Sequence, residues 1–351
     1  MKTFLLYGSY GYTGQLIVDH AWKEGLRPIL AGRNETRLRE QAKQYSLDYR
    51  LFSLNETDKM DSTLREVDAV LHCAGPFVHT FRQMAEACLR TKKHYVDISG
   101  EIPGFEAVAA MDSQAKQAGI MLMPGGGFDI VPSDCLAAHV AQRLPSAVHL
   151  RLFISGVGAG FSRGTAKSAI ENMQRQGRIR RNGELMQVPS AWKVLTQDFG
   201  MGPVRVVSVG WGDVSSAYYS TGIPNIEVYF AFPRAVINFL YDLRVIGPFM
   251  YNRPVKNFLK LFIDLFLPAG PGEERRKNKF PTLLGEATDQ NGGRAVSTLR
   301  VPEGYTCTAL TAVEIMRRIL NGEVKPGFQT PSLAYGKDFI LQFDGVKRED
   351  L

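Results

Sequence analysis

The sequence predicts an α/β chain in two parts: a parallel sheet covered by helices on both faces, then a second, α+β domain. Three observations predict it. Residues 3–16 run from a short apolar stretch (Phe4 to Tyr7) through Gly8, Gly11 and Gly14 into a segment with Leu16, Ile17, His20 and Ala21 at helical spacing. That reads as strand, tight turn, helix. Apolar runs then alternate with amphipathic ones as far as residue 123, the mark of repeated strand–helix units and so of a parallel sheet. Beyond Gly127 the alternation gives way to hairpin signals. The predicted boundaries are 1–127 for the first domain and 128–305 for a substrate or dimerisation domain with an apolar helical insert at 233–268. Residues 306–351 follow as a C-terminal helix and tail placed to pack back on the first domain.

In the opening unit each glycine has a distinct use. Gly8 permits the tight turn, Gly11 lets the backbone approach a pyrophosphate, and Gly14 lets helix and strand pack closely. The helix N-terminus then presents N–H groups and a positive dipole end. This is the opening of a Rossmann-type dinucleotide domain, and it makes Gly8, Ser9, Tyr10, Gly11, Tyr12, Thr13 and Gly14 candidate cofactor-binding residues. A second strand, 28–31, ends in Ala31-Gly32-Arg33-Asn34. An acidic residue at this point, about 20 residues past the glycines, would bind the ribose of NAD. Gly32 and Arg33 stand there instead, and a guanidinium suits a 2′-phosphate. NADP is therefore the predicted cofactor, with Gly32, Arg33 and Asn34 as candidates to hold it. The alternative for Arg33 is a solvated turn residue ahead of the helix Glu35–Tyr45.

The alternation continues with a strand at 49–54 and a short helix at 61–66. A buried strand at 68–76 ends in the turn Gly75-Pro76. The helix 80–91 follows, with Met84, Ala85, Ala87, Cys88 and Leu89 on its apolar face, then a strand at 94–99, a helix at 104–117 and a sixth strand at 120–123. In the second domain a helix at 133–143, capped by Ser133 or Asp134, leads into a strand at 148–155 and a glycine-rich link (Gly156, Gly158, Gly160, Gly164). Asn182-Gly183 is the signature of a type I′ hairpin. Strands at 204–210 and 226–232, a hairpin at 283–301 around Asn291-Gly292-Gly293 and a helix at 308–321 complete the reading.

A chain of 351 residues is long enough for two domains with substantial cores, and 44% apolar with 22% charged residues is ordinary for a globular protein. Cys73, Cys88, Cys135 and Cys307 are scattered, so neither a disulfide framework nor a zinc site is expected, and no other metal-ligand cluster occurs. Met1-Lys2 leads directly into the first strand, so no signal peptide is expected, and no uncharged apolar run is long enough to span a bilayer. The expected location is cytoplasmic, or peripheral to a membrane. The net charge of +7 is concentrated: Arg163, Lys167, Arg175, Arg178, Arg180 and Arg181 cluster with only Glu171 opposing them. No nucleic-acid-binding motif accompanies them, so solvated surface is the expectation and nucleic acid is not an expected partner.

Ligands of parallel dinucleotide folds bind at the carboxyl ends of the strands, and three segments here end strands. Cys73-Ala74-Gly75-Pro76-Phe77 has residues small enough to let a cofactor pass close to the backbone. Tyr95 to Glu101 places Tyr95, Asp97 and Ser99 on one strand face. Pro124-Gly125-Gly126-Gly127-Phe128-Asp129 removes side-chain bulk, which suits a flat nicotinamide, with Gly125 and Phe128 beside it, or a hinge into the second domain. Asp97, Glu101 and Asp129 are the candidate catalytic residues, as proton donors or acceptors if burial raises their pKa; the alternative is that they anchor loop backbones. His79 is a further loop candidate. No Tyr-x-x-x-Lys occurs, which argues against short-chain dehydrogenase chemistry, and no GxSxG elbow is present.

In order, Gly8–Gly14 with Tyr12-Thr13, Ala31-Gly32-Arg33, Ala74-Gly75-Pro76-Phe77, His94-Tyr95-Val96-Asp97 through Gly100-Glu101, and Pro124 to Asp129 through Pro132-Ser133-Asp134 resemble the saccharopine dehydrogenase-like oxidoreductases, including the trans-acting enoyl reductases. The resemblance covers about residues 1–145 and returns at 327–336 with Thr330-Pro331. It implies an NADP-binding domain and an NADP(H)-dependent oxidoreductase that reduces a C=C, C=N or C=O bond of a small or lipid-like substrate. The alternative is a non-catalytic NADP-binding sensor or scaffold. Ser9-Tyr10 stand where many relatives have smaller residues.

The insert 233–268 has the most unusual composition. Phe258, Leu261, Phe262, Leu265 and Phe266 share one helical face, widened by Leu259, Ile263 and Leu267, leaving a polar stripe of Asn257, Lys260 and Asp264. Val236, Ile237, Leu240 and Tyr241 form another apolar face upstream, with Arg244, Arg253 and Lys256 between. Two fates are open to it: burial in a core or homodimer interface, or shallow docking on a membrane surface, where it would also admit a lipid-like substrate.

Overall fold

Four consecutive apolar residues, buried along their whole length, make β1 (Phe4–Tyr7), and the first sheet grows outward from it. The computed structural model describes residues 2–351 apart from 157–159, 161, 172–175, 201, 251 and 278. Gly158 of the glycine-rich link and Arg175 of the basic cluster therefore lie outside the described residues. After β1 come α1 (Tyr12–Lys23), β2 (Ile29–Gly32), α2 (Glu35–Tyr45), β3 (Tyr49–Leu51), α3 (Thr57–Arg65), β4 (Ala69–His72) and α4 (Phe81–Thr91). Then follow β5 (His94–Asp97), α5 (Ile102–Ala109), α6 (Asp112–Ala118) and β6 (Met121–Met123). Local chemistry sets several ends. The Asn34 side chain accepts a hydrogen bond from the Arg37 N–H at 3.0 Å to start α2, and Ser46 in the left-handed region ends it.

The expected single helix at 104–117 is two. Met111, with ψ near zero (2°), breaks it and starts α6 afresh at Asp112. Asp112 then accepts the backbone N–H of Phe328 at 2.9 Å, so a contact distant in sequence overrides the helical periodicity. The α7 helix (Val131–Arg143) also begins earlier than expected. The carbonyl of Gly127 accepts from Ile130 and Val131 at 3.2 and 2.9 Å, which winds the first turn ahead of Ser133 and Asp134. Those two buried residues lie inside that turn rather than capping it.

The chain continues through β7 (His149–Ser155), α8 (Arg163–Glu171), β8 (Gln176–Arg181), β9 (Glu184–Pro189), β10 (Val194–Asp198), β11 (Pro203–Ser208), α9 (Asp213–Thr221) and β12 (Asn225–Ala231). The insert forms α10 (Arg234–Met250) and α11 (Arg253–Phe266), followed by α12 (Glu273–Lys277), β13 (Thr282–Thr288) and β14 (Arg294–Arg300). Last come α13 (Gly304–Leu320), β15 (Gly327–Phe328), α14 (Pro331–Tyr335) and β16 (Lys347–Asp350).

Among the described residues the first sheet has seven strands in the order β3-β2-β1-β4-β5-β6-β15, all parallel. Successive crossovers reverse direction between β1 and β4, the switch point at which such sheets leave a crevice. Among the described residues the second sheet has nine strands, in the order β10-β11-β12-β7-β13-β14-β16 with β8 and β9 branching from β12. Its pairings are antiparallel except that β7 and β12 run parallel. The hairpin turn between β8 and β9 has Asn182 and Gly183 at φ 51° and 82°, as the Asn-Gly pair requires. Phe153 and Tyr229 stack at 5.1 Å in this sheet's core with Val206, Leu284 and Val296.

Two compact units result, Met1–Val131 with Tyr305–Ala334, and Pro132–Gly304 with Tyr335–Leu351. No helix among the described residues is long and apolar enough to cross a membrane.

Candidate functional site

The glycine turn after β1 is built by exclusion of side chains. Gly8 sits at φ 85°, and a Cβ there would stand 2.9 Å from both the Cβ and the N of Ala74. The turn is thereby pressed against the segment that follows β4. A Cβ on Gly14 would lie 2.4 Å from the Gly8 carbonyl oxygen and 2.6 Å from that of Ser9, so α1 docks directly on the turn. Gly11 is the N-cap of α1 and supplies no side-chain cap, and the first turn holds no acidic residue. The positive end of the helix dipole therefore meets no negative side chain within its own first turn. Such a terminus is suited to a phosphate, and the cradle fits a dinucleotide pyrophosphate. Ser9 is buried and offers its carbonyl to the Gln41 side-chain amide at 3.0 Å. Tyr12 sets its ring edge-on to Tyr305 at 5.0 Å, and Thr13 is half-buried in the first turn.

At the end of β2, Gly32 is needed because Tyr10 lies on it: a Cβ would be 2.5 Å from the Tyr10 ring. The Tyr10 hydroxyl accepts the Arg33 backbone N–H at 3.1 Å. Arg37 stacks its guanidinium 5.0 Å above the same ring and donates to the Tyr10 carbonyl at 2.8 Å. Arg33 and Arg37 are both exposed, so two guanidinium groups flank this strand end. Asn34 is occupied as the cap of α2. Arg37 and Gln41 are site residues that the sequence reading missed. The available signal was a basic residue three positions past a helix cap, in the turn next to Arg33.

Beyond β4, Thr80 donates to the Ala74 carbonyl at 2.7 Å and meets His72 Nε2 at 3.0 Å. With its hydroxyl hydrogen committed to Ala74, Thr80 accepts from His72, which makes the imidazole an Nε2–H tautomer. Burial pushes the His72 pKa down to about 3, so it stays neutral among the rings of Tyr7, Phe77 and Tyr95. Cys73 is half-buried, and burial raises its thiol pKa. The Gly75–Pro76 bond is cis, and Phe77 opens a short 3-10 turn that ends at His79.

The three acidic candidates separate in the structure. Asp97, at the end of β5, accepts from the Tyr95 hydroxyl at 2.6 Å, the Ser99 N–H at 2.8 Å, the Ser99 hydroxyl at 2.7 Å and the Gly125 N–H at 3.0 Å. Burial raises its pKa, and those bonds oppose the rise. Four bonds to one buried carboxylate clamp the ends of β5 and β6 together. Glu101 is the buried N-cap residue of α5. Asp129 is half-buried, and its pKa is pushed up to about 7, first by desolvation and then by the nearby charge of Glu101. It is the acid in this group poised to exchange a proton near neutrality.

The glycine run before Asp129 has a packing explanation that the sequence did not supply. Added Cβ atoms would meet Ile130 and Phe105 at Gly125 (2.6 and 2.7 Å), Val96 at Gly126 (2.8 Å) and Thr308 at Gly127 (2.8 Å). The space freed by the missing side chains is therefore filled by the protein's own groups. Thr308 accepts the Phe128 N–H at 3.0 Å, and Thr311 donates to the Gly126 carbonyl at 3.0 Å. The helix α13 thus holds the loop and fixes Asp129 at its end. Gly125 is enclosed and Phe128 is buried; Thr308 and Thr311, missed from sequence, are the residues that position them.

Residues 4–123 match the family described as the saccharopine dehydrogenase NADP binding domain. The chain is 31% identical over 150 residues to a trans-acting enoyl reductase of Mycobacterium leprae, a match covering 40% of this chain and 35% of that one. It is 28% identical over 144 residues to a lipid droplet localized protein of Caenorhabditis elegans, covering 37% of this chain and 34% of that one. Each match spans about a third of the relative's length. A solved apo saccharopine dehydrogenase (L-Glu forming) from Saccharomyces cerevisiae aligns over 100% of both chains with a TM-score of 0.68 at 13% identity, which is a likeness of fold. Residues 4–123, with the glycine cradle and the strand ends described above, are therefore a saccharopine dehydrogenase-type NADP-binding domain, carried on a chain with the saccharopine dehydrogenase fold.

Proposed function

We propose that the protein is an NADP(H)-dependent oxidoreductase that reduces a C=C, C=N or C=O bond of a small or lipid-like substrate. The observation that carries this reading is Asp129, an acid with a pKa of about 7, in the loop that follows β6 of the parallel sheet bearing the glycine cradle. When bound, the nicotinamide supplies the hydride. Asp129 supplies the proton: its O–H bond breaks, a bond to hydrogen forms on the atom that takes up the π electron pair, and water reprotonates the carboxylate left behind. Burial, and after it the charge of Glu101, favours that proton on Asp129 near neutral pH. Asp97 and Thr308 hold the loop in place. The relatives' names support the substrate class: a trans-acting enoyl reductase fits a C=C bond, and a lipid droplet localized protein fits a lipid-like molecule.

The test is NADPH oxidation by the full chain with enoyl, imine and carbonyl substrates, alongside Asp129→Asn. Turnover of one class, with kcat lowered by roughly 100-fold or more in the variant, is the expected result. Tight NADPH binding with no turnover across the three classes would overturn it and leave a sensor or scaffold in its place.

A further inference from the structure

The helix α11 is turned inside out. Its charged stripe faces the protein: Lys256 and Lys260 both pair with Glu171 of α8, Lys256 at 3.4 Å, and Asp264 pairs with Lys167 of α8 at 2.6 Å. Arg163 of α8 donates to the Leu267 carbonyl, at 2.7 Å, just past the end of α11. Ile263 is the apolar residue of this helix that is buried. The opposite face holds Phe258, Leu261, Phe262, Leu265 and Phe266, which are 65, 57, 48, 67 and 67% exposed. The rings of Phe262 and Phe266 sit 4.5 Å apart, and Val236, Phe239 and Tyr241 of α10 are also exposed. Burial in the protein's own core is therefore not the fate of this face. A contiguous aromatic patch in water marks a docking surface.

We propose that this face docks on an anionic lipid bilayer, with α11 lying in the plane of the headgroups. Charge selects this occupant. Together α8 and α11 carry five basic and two acidic residues, and 233–279 carries nine basic and four acidic ones. Glu171 and Asp264 are paired with Lys167, Lys256 and Lys260, and the segment that bears the apolar face keeps a net positive charge. A second copy of the chain would bring that same positive excess against itself, whereas an anionic surface complements it. Length also fits. The 14 residues of α11 extend about 21 Å, short of a hydrocarbon core about 30 Å thick, so the helix inserts shallowly rather than spanning.

The test is flotation of the full chain with phosphatidylcholine vesicles, with and without about one third phosphatidylserine. Binding should favour the anionic vesicles several-fold, weaken as salt is added, and fall about tenfold when Leu265→Ser and Phe266→Ser are combined. These are the two most exposed positions of the face, so the fold should tolerate the change, with circular dichroism as the check. A second readout does not depend on that variant: Leu265→Cys carrying an environment-sensitive fluorophore should shift to the blue on anionic vesicles. Failure of the native chain to float, or a fluorophore that stays water-like, would overturn the proposal. So would a native dimer that the same double substitution splits while vesicles have no effect; the occupant would then be a second copy.

Discussion

Asp129 illustrates how one buried charge can tune another. Its pKa of about 7 lies well above the ordinary aspartate value of about 4, because burial and Glu101 both disfavour the ionised form. The sign of the linkage follows. The proton is retained in the folded chain and lost from the unfolded one between these two values, so the stabilising contribution is complete below about pH 4 and is lost as pH rises through about 7. Asp129→Asn, which cannot ionise, should therefore raise the melting temperature relative to the native protein at pH 8 and much less at pH 4; equal differences at both would contradict the shifted pKa. Arg33 and Arg37 carry the second prediction at this scale. Each guanidinium can give a 2′-phosphate a charge-assisted bond of about 1.5–3 kcal/mol, so Arg33→Ala and Arg37→Ala should each weaken NADPH binding by roughly tenfold or more and leave NADH nearly unchanged. Fluorescence titration with both nucleotides checks this.

Among the elements, α1 depends most sharply on one residue. The atoms nearest a Cβ on Gly14 are backbone carbonyl oxygens at 2.4 and 2.6 Å, whereas a Cβ on Gly11 would stand 3.3 Å from the nearest. Backbone cannot yield as a flexible side chain can, so Gly14→Ala should push α1 off the turn. The expected loss is about 1–3 kcal/mol of stability together with most of the NADPH affinity. Gly11→Ala should cost less stability and act mainly on binding. Urea unfolding and nucleotide titration of the pair separate the two roles, and a reversed order would show that the turn relaxes. The same reasoning explains α5 and α6, where the bond from Phe328 to Asp112 outweighs the continuity of a single helix.

In the whole molecule neither unit is continuous in sequence. The first needs α13 and β15, which return after the entire second unit. Without them β6 loses the pairing of Gly327 with Met121 and Phe328 with Leu122, and Phe128 loses the Thr308 acceptor. A fragment of residues 1–131 should therefore be poorly folded and fail to bind NADPH. The same fragment joined by a flexible linker to 305–334 should recover both properties. Circular dichroism and nucleotide titration of the two fragments decide the matter, and a well-folded, NADPH-binding 1–131 would show that the return segment is dispensable.

What the sequence determined by itself lies within short range. The β1 turn, the Arg33 position, the cap of α2 and the Asn182-Gly183 hairpin were legible because their conformations follow from a few neighbouring residues and from the backbone freedom of glycine. The acidic candidates were visible as residue types at strand ends, but their environments were not. Both carboxyls are desolvated; what distinguishes them is hydrogen bonding and a neighbouring charge, from groups brought together only by folding: Ser99 and Gly125 around Asp97, Glu101 beside Asp129. The glycine run at 125–127 read as space for a ligand, whereas Thr308, some 180 residues away, helps to fill it. The charged edge strand β16 and the short β15 carried no apolar period to betray them. The outward turn of α11 was equally hidden, because an amphipathic pattern fixes which residues share a face while only the partners across it, here Glu171 and Lys167 of α8, decide which face meets the protein.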